Sequence, residues 1–153
     1  MNWKLLGAGI AVLLGADLSV TAHAQVKPET LVKQRQAAMT LQGKYLYGQL
    51  RPMAQGKIPY DAATVARGAT LLEALSKMPW DGFTPGTKSV KSAALPAVYT
   101  DTAKFKSAQD QLESESAKLV SLTKSGDEAA VKAQILAINK VCNGCHEAFR
   151  ERD

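Results

Sequence analysis

The chain has 153 residues, enough for one domain with a single modest core. Its net charge of +5 comes from basic and acidic residues interspersed along the sequence, without a basic block interleaved with aromatic residues, which argues against nucleic-acid binding. Its two cysteines, Cys142 and Cys145, stand so close that a disulfide between them would remove little loop entropy, so a structural disulfide is a poor explanation for the pair.

The first 24 residues have the pattern of a secretory signal peptide. Lys4 supplies a positive charge, an apolar run follows from Leu5 to Leu14, and the tripeptide Ala-His-Ala at 22–24 has the small-x-small form of a cleavage site. The apolar run is too short for a transmembrane anchor, which needs about 20 apolar residues. We therefore predict that residues 1–24 are cleaved and that residues 25–153 form one domain in the periplasm, without membrane attachment.

Helical periodicity predicts two helices in the first part of the mature chain. The first extends from about Pro28 to Leu50, where Pro52 is expected to end it. The second begins after Asp61, a natural N-cap, and stops before Pro79. The following segment, up to Tyr99, is rich in Gly and Pro, and loops of such length are often functional. Its composition does not distinguish a functional loop from a solvent-exposed crossover.

Two further helices are predicted in the last third of the chain. The third begins near Thr100 or Asp101, and the turn at 125–127 precedes the fourth. The fourth helix repeats core positions at steps of four and three residues, namely Val131, Ile135, Ile138, Cys142, Cys145 and Phe149. Four amphipathic helices with mostly short connections predict an all-α fold, an antiparallel four-helix bundle. Both cysteines would then lie on the core-facing side of the last helix.

The motif Cys-x-x-Cys-His from Cys142 to His146 allows three interpretations. A redox dithiol sits at a helix start in a βαβ setting, whereas this pair lies near a helix end without a preceding strand. A structural zinc needs four ligands, and the mature chain has no further Cys or His once His23 is removed. The third interpretation, covalent haem c, fits the motif best.

For haem c, the spacing of three residues places Cys142 and Cys145 on one helix face, where both thiols can add to the two vinyl groups of one haem per chain. His146 would be an axial ligand of the iron. Arg150, one turn later, could rest against the same haem face, and Arg35 could reach the haem propionates. Alternatively, both arginines are ordinary solvent-exposed side chains without a role in haem binding. Gln36 could likewise reach the haem propionates or be an ordinary solvent-exposed side chain.

The other axial position has fewer candidates, because the mature chain contains one histidine. A sixth protein ligand would have to be a methionine, Met39, Met53 or Met78, and otherwise the position is empty. Met39 is mid-helix on the apolar stripe and is best placed to face a haem held by the fourth helix. The alternative role for Met39 is core filling, which is common for helical methionines.

Several segments resemble cytochrome c′, the high-spin branch of the class II c-type cytochromes. The resemblance extends from about Lys27 to Arg150 and is carried by RQAAMTL in the first helix, PYDAATV opening the second, PWDGFTPGT in the loop and CNGCHEAFR at the end. It implies a homodimer packed through the first two helices. It also implies a five-coordinate haem with His146 proximal and Met39 lining the distal pocket. The remaining residues that it places in the haem pocket are Arg35, Gln36, Trp80, Phe83 and Arg150.

Two functions follow from this resemblance. An empty distal site under an apolar cap would bind a small diatomic gas, NO or CO, with possible electron transfer as well. Alternatively, Met39 is the sixth iron ligand, as in the low-spin relatives with the same RQxxM setting, and the protein is an electron carrier with a redox partner protein. We expect no enzymatic activity, because peroxidases need a distal acid–base pair that the first helix does not supply.

Overall fold

The structure, a computed structural model, describes residues 26–152; the predicted signal peptide lies outside them. In this part of the chain the helices are α1 (Pro28–Tyr45), α2 (Arg51–Ala54), α3 (Ala62–Ser76), α4 (Ala97–Thr100), α5 (Thr102–Thr123) and α6 (Glu128–Phe149). The predicted all-α class is confirmed. None of these helices combines the length and apolar composition that crossing a membrane requires.

The first helix does not end before Pro52, and that prediction is wrong. α1 continues through a π-helical turn, Leu46–Leu50, directly into α2. Pro52 has no N–H, and in a regular α-helix its ring would clash with the carbonyl group four residues earlier. The wider π turn, in which the Arg51 N–H bonds to the Leu46 carbonyl, lets the chain continue. It also brings Leu50 into the core.

The helix starts follow their capping residues. The Asp61 carboxylate accepts a hydrogen bond of 2.7 Å from the Thr64 N–H, which opens α3 as predicted. Asp101 caps α5 in the same way, at 3.4 Å from the Lys104 nitrogen. Asp127 caps α6 with a bond of 3.0 Å from the Ala130 N–H. The last cap fixes where α6 begins, and hence where along the bundle the Cys-x-x-Cys-His motif lies.

The long loop between α3 and α5 is ordered by contacts at both of its ends. Two 3₁₀ turns, Trp80–Phe83 and Pro85–Thr87, pack against α1. Further along, an antiparallel bridge pairs Ala94 with Arg150, and the Leu95 N–H donates to the Phe149 carbonyl at 2.9 Å. The loop is therefore fastened to the C-terminal end of α6 and is more than a solvent-exposed crossover.

The core lies where α3, α5 and α6 pack together and where α1 packs on α3. Its buried members are Leu46, Leu50, Met53, Val65, Ala69, Leu72, Leu112, Leu119, Val131, Ile135 and Ile138. α6 packs chiefly against α5, against α2 and against the π turn, rather than along α1 itself. The N-terminal part of α1 and the C-terminal part of α6 consequently stand apart, with the loop packed beside α1.

Candidate functional site

A cavity of about 420 Å³ opens between α1, the long loop and the C-terminal turns of α6. This volume falls within the range of about 300–1,000 Å³ typical of small-molecule and cofactor sites. Its walls are formed by Arg35, Gln36, Met39, Thr40, Tyr47, Trp80, Phe83, Ser92, Ala93, Ala94, Phe105, Cys145, His146, Phe149 and Arg150. The structure thus brings eight of the nine predicted site residues to one cavity, and the ninth, Cys142, lies three residues before Cys145 on α6.

The α6 wall carries the potential haem-binding groups. Cys145 and His146 line the cavity, and Cys142 packs against the edge of the hydrophobic core. Both thiols are unbridged, and burial together with the neighbouring Cys145 raises the pKa of Cys142 to about 11. Burial, and then the charge of Arg150, lowers the pKa of His146. A neutral imidazole is the form that ligates a metal, so this environment suits an axial ligand.

Met39 is the methionine that the structure brings to the cavity. It projects from α1, in the wall formed by a different helix from the one that carries His146. Met53 belongs to the hydrophobic core and is 8% exposed, whereas Met78 is 58% exposed after the end of α3. Of the three methionines predicted as candidate sixth ligands, Met39 is therefore the one whose position suits that role.

Arg35 places a buried positive charge in the α1 wall. The residue is 3% exposed, and its guanidinium donates to the Gly82 carbonyl and, at 2.6 Å, to the Ser92 hydroxyl. None of the ion pairs found within residues 26–152 involves it. A buried charge without a counter-ion is costly, so this wall favours a ligand with an anionic group. The neighbouring Gln36 lines the exposed rim.

The far wall is aromatic. Phe105 lies at its centre, with ring centroids 4.9 Å from Phe83, 5.2 Å from Phe149 and 6.1 Å from Trp80. The family resemblance predicted pocket positions for Trp80 and Phe83, whereas Phe149 was predicted as a core position of the last helix, because helical spacing is the same in either role. The result is a rigid apolar surface suited to a flat, mostly apolar ligand.

Comparison with known proteins identifies the family. A family model described as cytochrome C′ matches residues 30–150. The chain belongs to the cytochrome c′ family. It is 40% identical to a cytochrome c′ from Rubrivivax gelatinosus over 127 residues, which cover 82% of this chain and 98% of that relative. The resemblance read from the sequence is therefore confirmed.

Solved structures of cytochromes c′ from Alcaligenes xylosoxidans are also similar. A nitric oxide complex of a single-residue mutant superposes with a TM-score of 0.77 at 34% identity. The match covers 85% of this chain and 100% of that chain. A carbon-monoxide-bound variant has the same score of 0.77 and identity of 34%, covering 84% of this chain and 100% of its own. These matches confirm the four-helix bundle predicted from the sequence.

As a cytochrome c′ family member, the chain carries covalently bound haem c. The cavity fits that group in several independent respects. It offers thiols near one edge, an imidazole whose pKa is lowered by burial and then by Arg150, aromatic walls and a buried cation for a carboxylate. Within residues 26–152 there is no cluster of three or more His, Cys, Asp or Glu side chains that could hold a metal ion without such a group.

Ser92 and Tyr47 are among the cavity residues that were not predicted from the sequence. Ser92 lies in the irregular loop, where no periodicity could indicate that it bonds to Arg35. Tyr47 lies eight residues after Met39, a spacing that keeps it on roughly the same face of a helix, so its position could have been found. What could not be found is the π turn in which Tyr47 stands.

Proposed function

We propose that this chain is a periplasmic haem protein whose iron is five-coordinate and high-spin and binds the small gases NO and CO. The observation that carries the proposal is the single cavity that holds His146 on α6 and Met39 on α1. The nitric oxide and carbon monoxide complexes of similar proteins support the choice of ligand. The pattern of residues 1–24 supports export.

In this proposal the α6 residues hold the cofactor. Cys142 and Cys145 would hold the haem covalently through their thiols, and His146 would bind its iron. Burial, and then the positive charge of Arg150 at the same cavity, lowers the pKa of His146, which favours the neutral imidazole. The bound haem supplies an iron with an open coordination position.

The remaining walls orient the group and select the ligand. The buried guanidinium of Arg35 would receive a haem carboxylate, with Gln36 at the rim. Trp80 and Phe83 pack as an apolar wall. Met39 would restrict the space for a bound gas, and within the described part of the cavity wall His146 is the one histidine. Without a distal histidine to donate a hydrogen bond, bound O₂ is disfavoured relative to NO and CO.

A second candidate function comes from the same position of Met39. If its sulfur bonds to the iron, the haem is low-spin and the protein is an electron carrier that docks with a redox partner protein. Met39 is the methionine at the cavity, and a thioether is a good ligand that raises the reduction potential. We favour gas binding because the loop sequence PWDGFTPGT resembles the high-spin branch. Neither function requires enzymatic activity, and we propose none.

We also propose that the protein is a homodimer packed through its first two long helices. Leu41 on α1 and Met78 just after α3 are 41% and 58% exposed, and Ile58, between those helices, is 41% exposed. Large apolar side chains left in contact with water favour burial against a second copy. Sedimentation equilibrium of the mature protein tests this point: a single monomeric species at micromolar concentration contradicts it.

The absorption spectrum of the purified mature protein distinguishes the two functions. Gas binding predicts a high-spin spectrum in both oxidation states and a clear change when CO or NO is added. A low-spin ferric spectrum with a methionine–iron charge-transfer band, unchanged by CO, would establish the electron carrier instead. Covalent attachment is tested separately by acid–organic extraction. The haem should stay with the wild-type protein, whereas the double variant of Cys142→Ala and Cys145→Ala should release it.

A further inference from the structure

The π-helical turn presents Tyr47 to the haem cavity. Its side chain lines the cavity and yet remains 37% exposed, so it lies at the boundary between the cavity and water. π-helical turns are rare and occur frequently at functional sites. Here the turn keeps Leu46 and Leu50 buried in the core while Tyr47, between them, faces outward.

Tyr47 stands at the end of the cavity where α6 carries Cys142. The π turn contacts α6, and Leu46 and Leu50 belong to the same core cluster against which Cys142 packs. Burial raises the pKa of Tyr47, and Cys142 raises it further. A cavity-lining ring therefore lies beside the first of the two cysteines, at the opposite end from Arg35.

The Tyr47 ring is directed back along α1 over Gly43. A Cβ atom placed on Gly43 would meet the Tyr47 Cδ2 atom at 3.8 Å. This direction agrees with the general tilt of helical side chains toward the N-terminus, and here it leads toward Met39. The guanidinium carbon of Arg51 lies 5.7 Å from the ring centroid and supports the ring from the following turn. The ring is thus held against α1 between Gly43 and Arg51 instead of extending freely into water.

Given haem attachment at Cys142, on which this inference rests, we propose that Tyr47 is an aromatic cover over the haem edge beside Cys142. The cover limits the access of water and of small redox reagents to that edge. Burial of a haem in a less polar environment is one of the means by which a protein sets its reduction potential, because water stabilises the more highly charged ferric state. Excluding water at this edge raises the midpoint potential and slows electron exchange with reagents in solution.

Three variants of the haem-loaded protein test the cover. Tyr47→Ala removes the ring, and Tyr47→Phe keeps the ring without its hydroxyl. Tyr45→Ala is the matched control, because Tyr45 stands two residues earlier and outside the cavity lining. The midpoint potential is measured by spectroelectrochemical titration and the rate of reduction by stopped flow with ascorbate. We expect a more negative potential and several-fold faster reduction for Tyr47→Ala, and wild-type values for Tyr47→Phe and Tyr45→Ala.

Unchanged potential and reduction rate in Tyr47→Ala would overturn the proposal. A change in Tyr47→Phe as large as that in Tyr47→Ala would also overturn it, because the hydroxyl and not the ring would then be responsible. If Tyr47→Ala does not retain haem, Tyr47→Leu is judged by the same criteria. Peptide mapping of the wild-type protein for haem on Cys142 is a separate measurement, and its failure alone would refute the attachment on which the cover depends.

Discussion

Arg35 stacks on Phe83, with the guanidinium carbon 4.4 Å from the ring centroid, although only 3% of Arg35 is exposed. The same group donates hydrogen bonds to the Gly82 carbonyl and the Ser92 hydroxyl. A guanidinium can stack and donate at once because it is planar and carries five N–H donors, whereas a lysine ammonium cannot. Arg35 therefore joins α1 to both parts of the loop while holding a positive charge in the cavity wall.

The first prediction is that Arg35→Lys destabilises the protein although the charge is kept. The variant loses the stacking on Phe83 and leaves at least one buried acceptor without its donor, which costs about 1–3 kcal/mol. Urea denaturation of the haem-loaded protein measures the free energy of unfolding. Arg67→Lys on the exposed face of α3 is the control and should change it by no more than about 0.5 kcal/mol. Equal stability of the two variants would show that the fork geometry of Arg35 is unimportant.

The second prediction concerns Met39→Leu. Leucine fills nearly the same volume but has no sulfur, so the stability should fall by less than about 1.5 kcal/mol. If Met39 only lines the distal side, the ferric spin state and the response to CO should stay close to those of the wild type. Conversion of a low-spin spectrum to a high-spin one would identify Met39 as an iron ligand. Met78→Leu, at a position 58% exposed, controls for the loss of a thioether elsewhere.

The third prediction concerns the loop glycines. A Cβ on Gly82 would lie 2.6 Å from the Arg35 Cβ and 2.7 Å from the Leu31 carbonyl oxygen, so Gly82→Ala forces the loop away from α1. Overpacking of this kind costs about 1–3 kcal/mol, and a backbone neighbour cannot move aside as a side chain can. Gly86→Ala is the matched control in the same loop, because no atom lies within 4 Å of its added Cβ. Thermal unfolding followed by circular dichroism should separate the two; a stable Gly82→Ala protein would contradict the close packing.

The helices could be predicted because their signals are local. Asp61 and Asp127 are capping residues at the starts of α3 and α6, and the spacing of apolar residues on α6 identifies its buried face. The π turn could not be predicted in this way. Pro52 strongly disfavours a regular α-helix, whereas the observed π turn continues the helix and keeps both Leu46 and Leu50 buried.

The candidate site was partly predictable for a different reason. Cys142, Cys145 and His146 belong to one short motif, so their role can be predicted from a local stretch of sequence. Ser92 instead reaches the site through the bridge between Ala94 and the end of α6, a contact between distant parts of the chain. A single sequence carries no periodic signal for such a contact. The resemblance to a known family supplied the positions of Trp80 and Phe83, which periodicity could not.

The last prediction is a pH dependence at the start of α3. The hydrogen bond from Thr64 lowers the pKa of Asp61 below its ordinary value of 3.8. Stability from a carboxylate with a lowered pKa is fully present above the unfolded-state value and is lost as the pH falls through the folded-state value. Asp61→Asn keeps a good N-cap that does not titrate. The wild type should therefore lose free energy of unfolding relative to Asp61→Asn as the pH is lowered below 3.8.

Urea denaturation of both haem-loaded proteins at a series of pH values from neutral to acidic measures this difference. Other acid-sensitive groups, including His146, are shared by the two proteins and cancel in the comparison. Asp61→Ala lacks any cap and should be less stable than either protein at neutral pH, with the gap to the wild type narrowing in acid. Parallel curves for the wild type and Asp61→Asn would mean that the carboxylate at Asp61 contributes no more to α3 than an uncharged amide does.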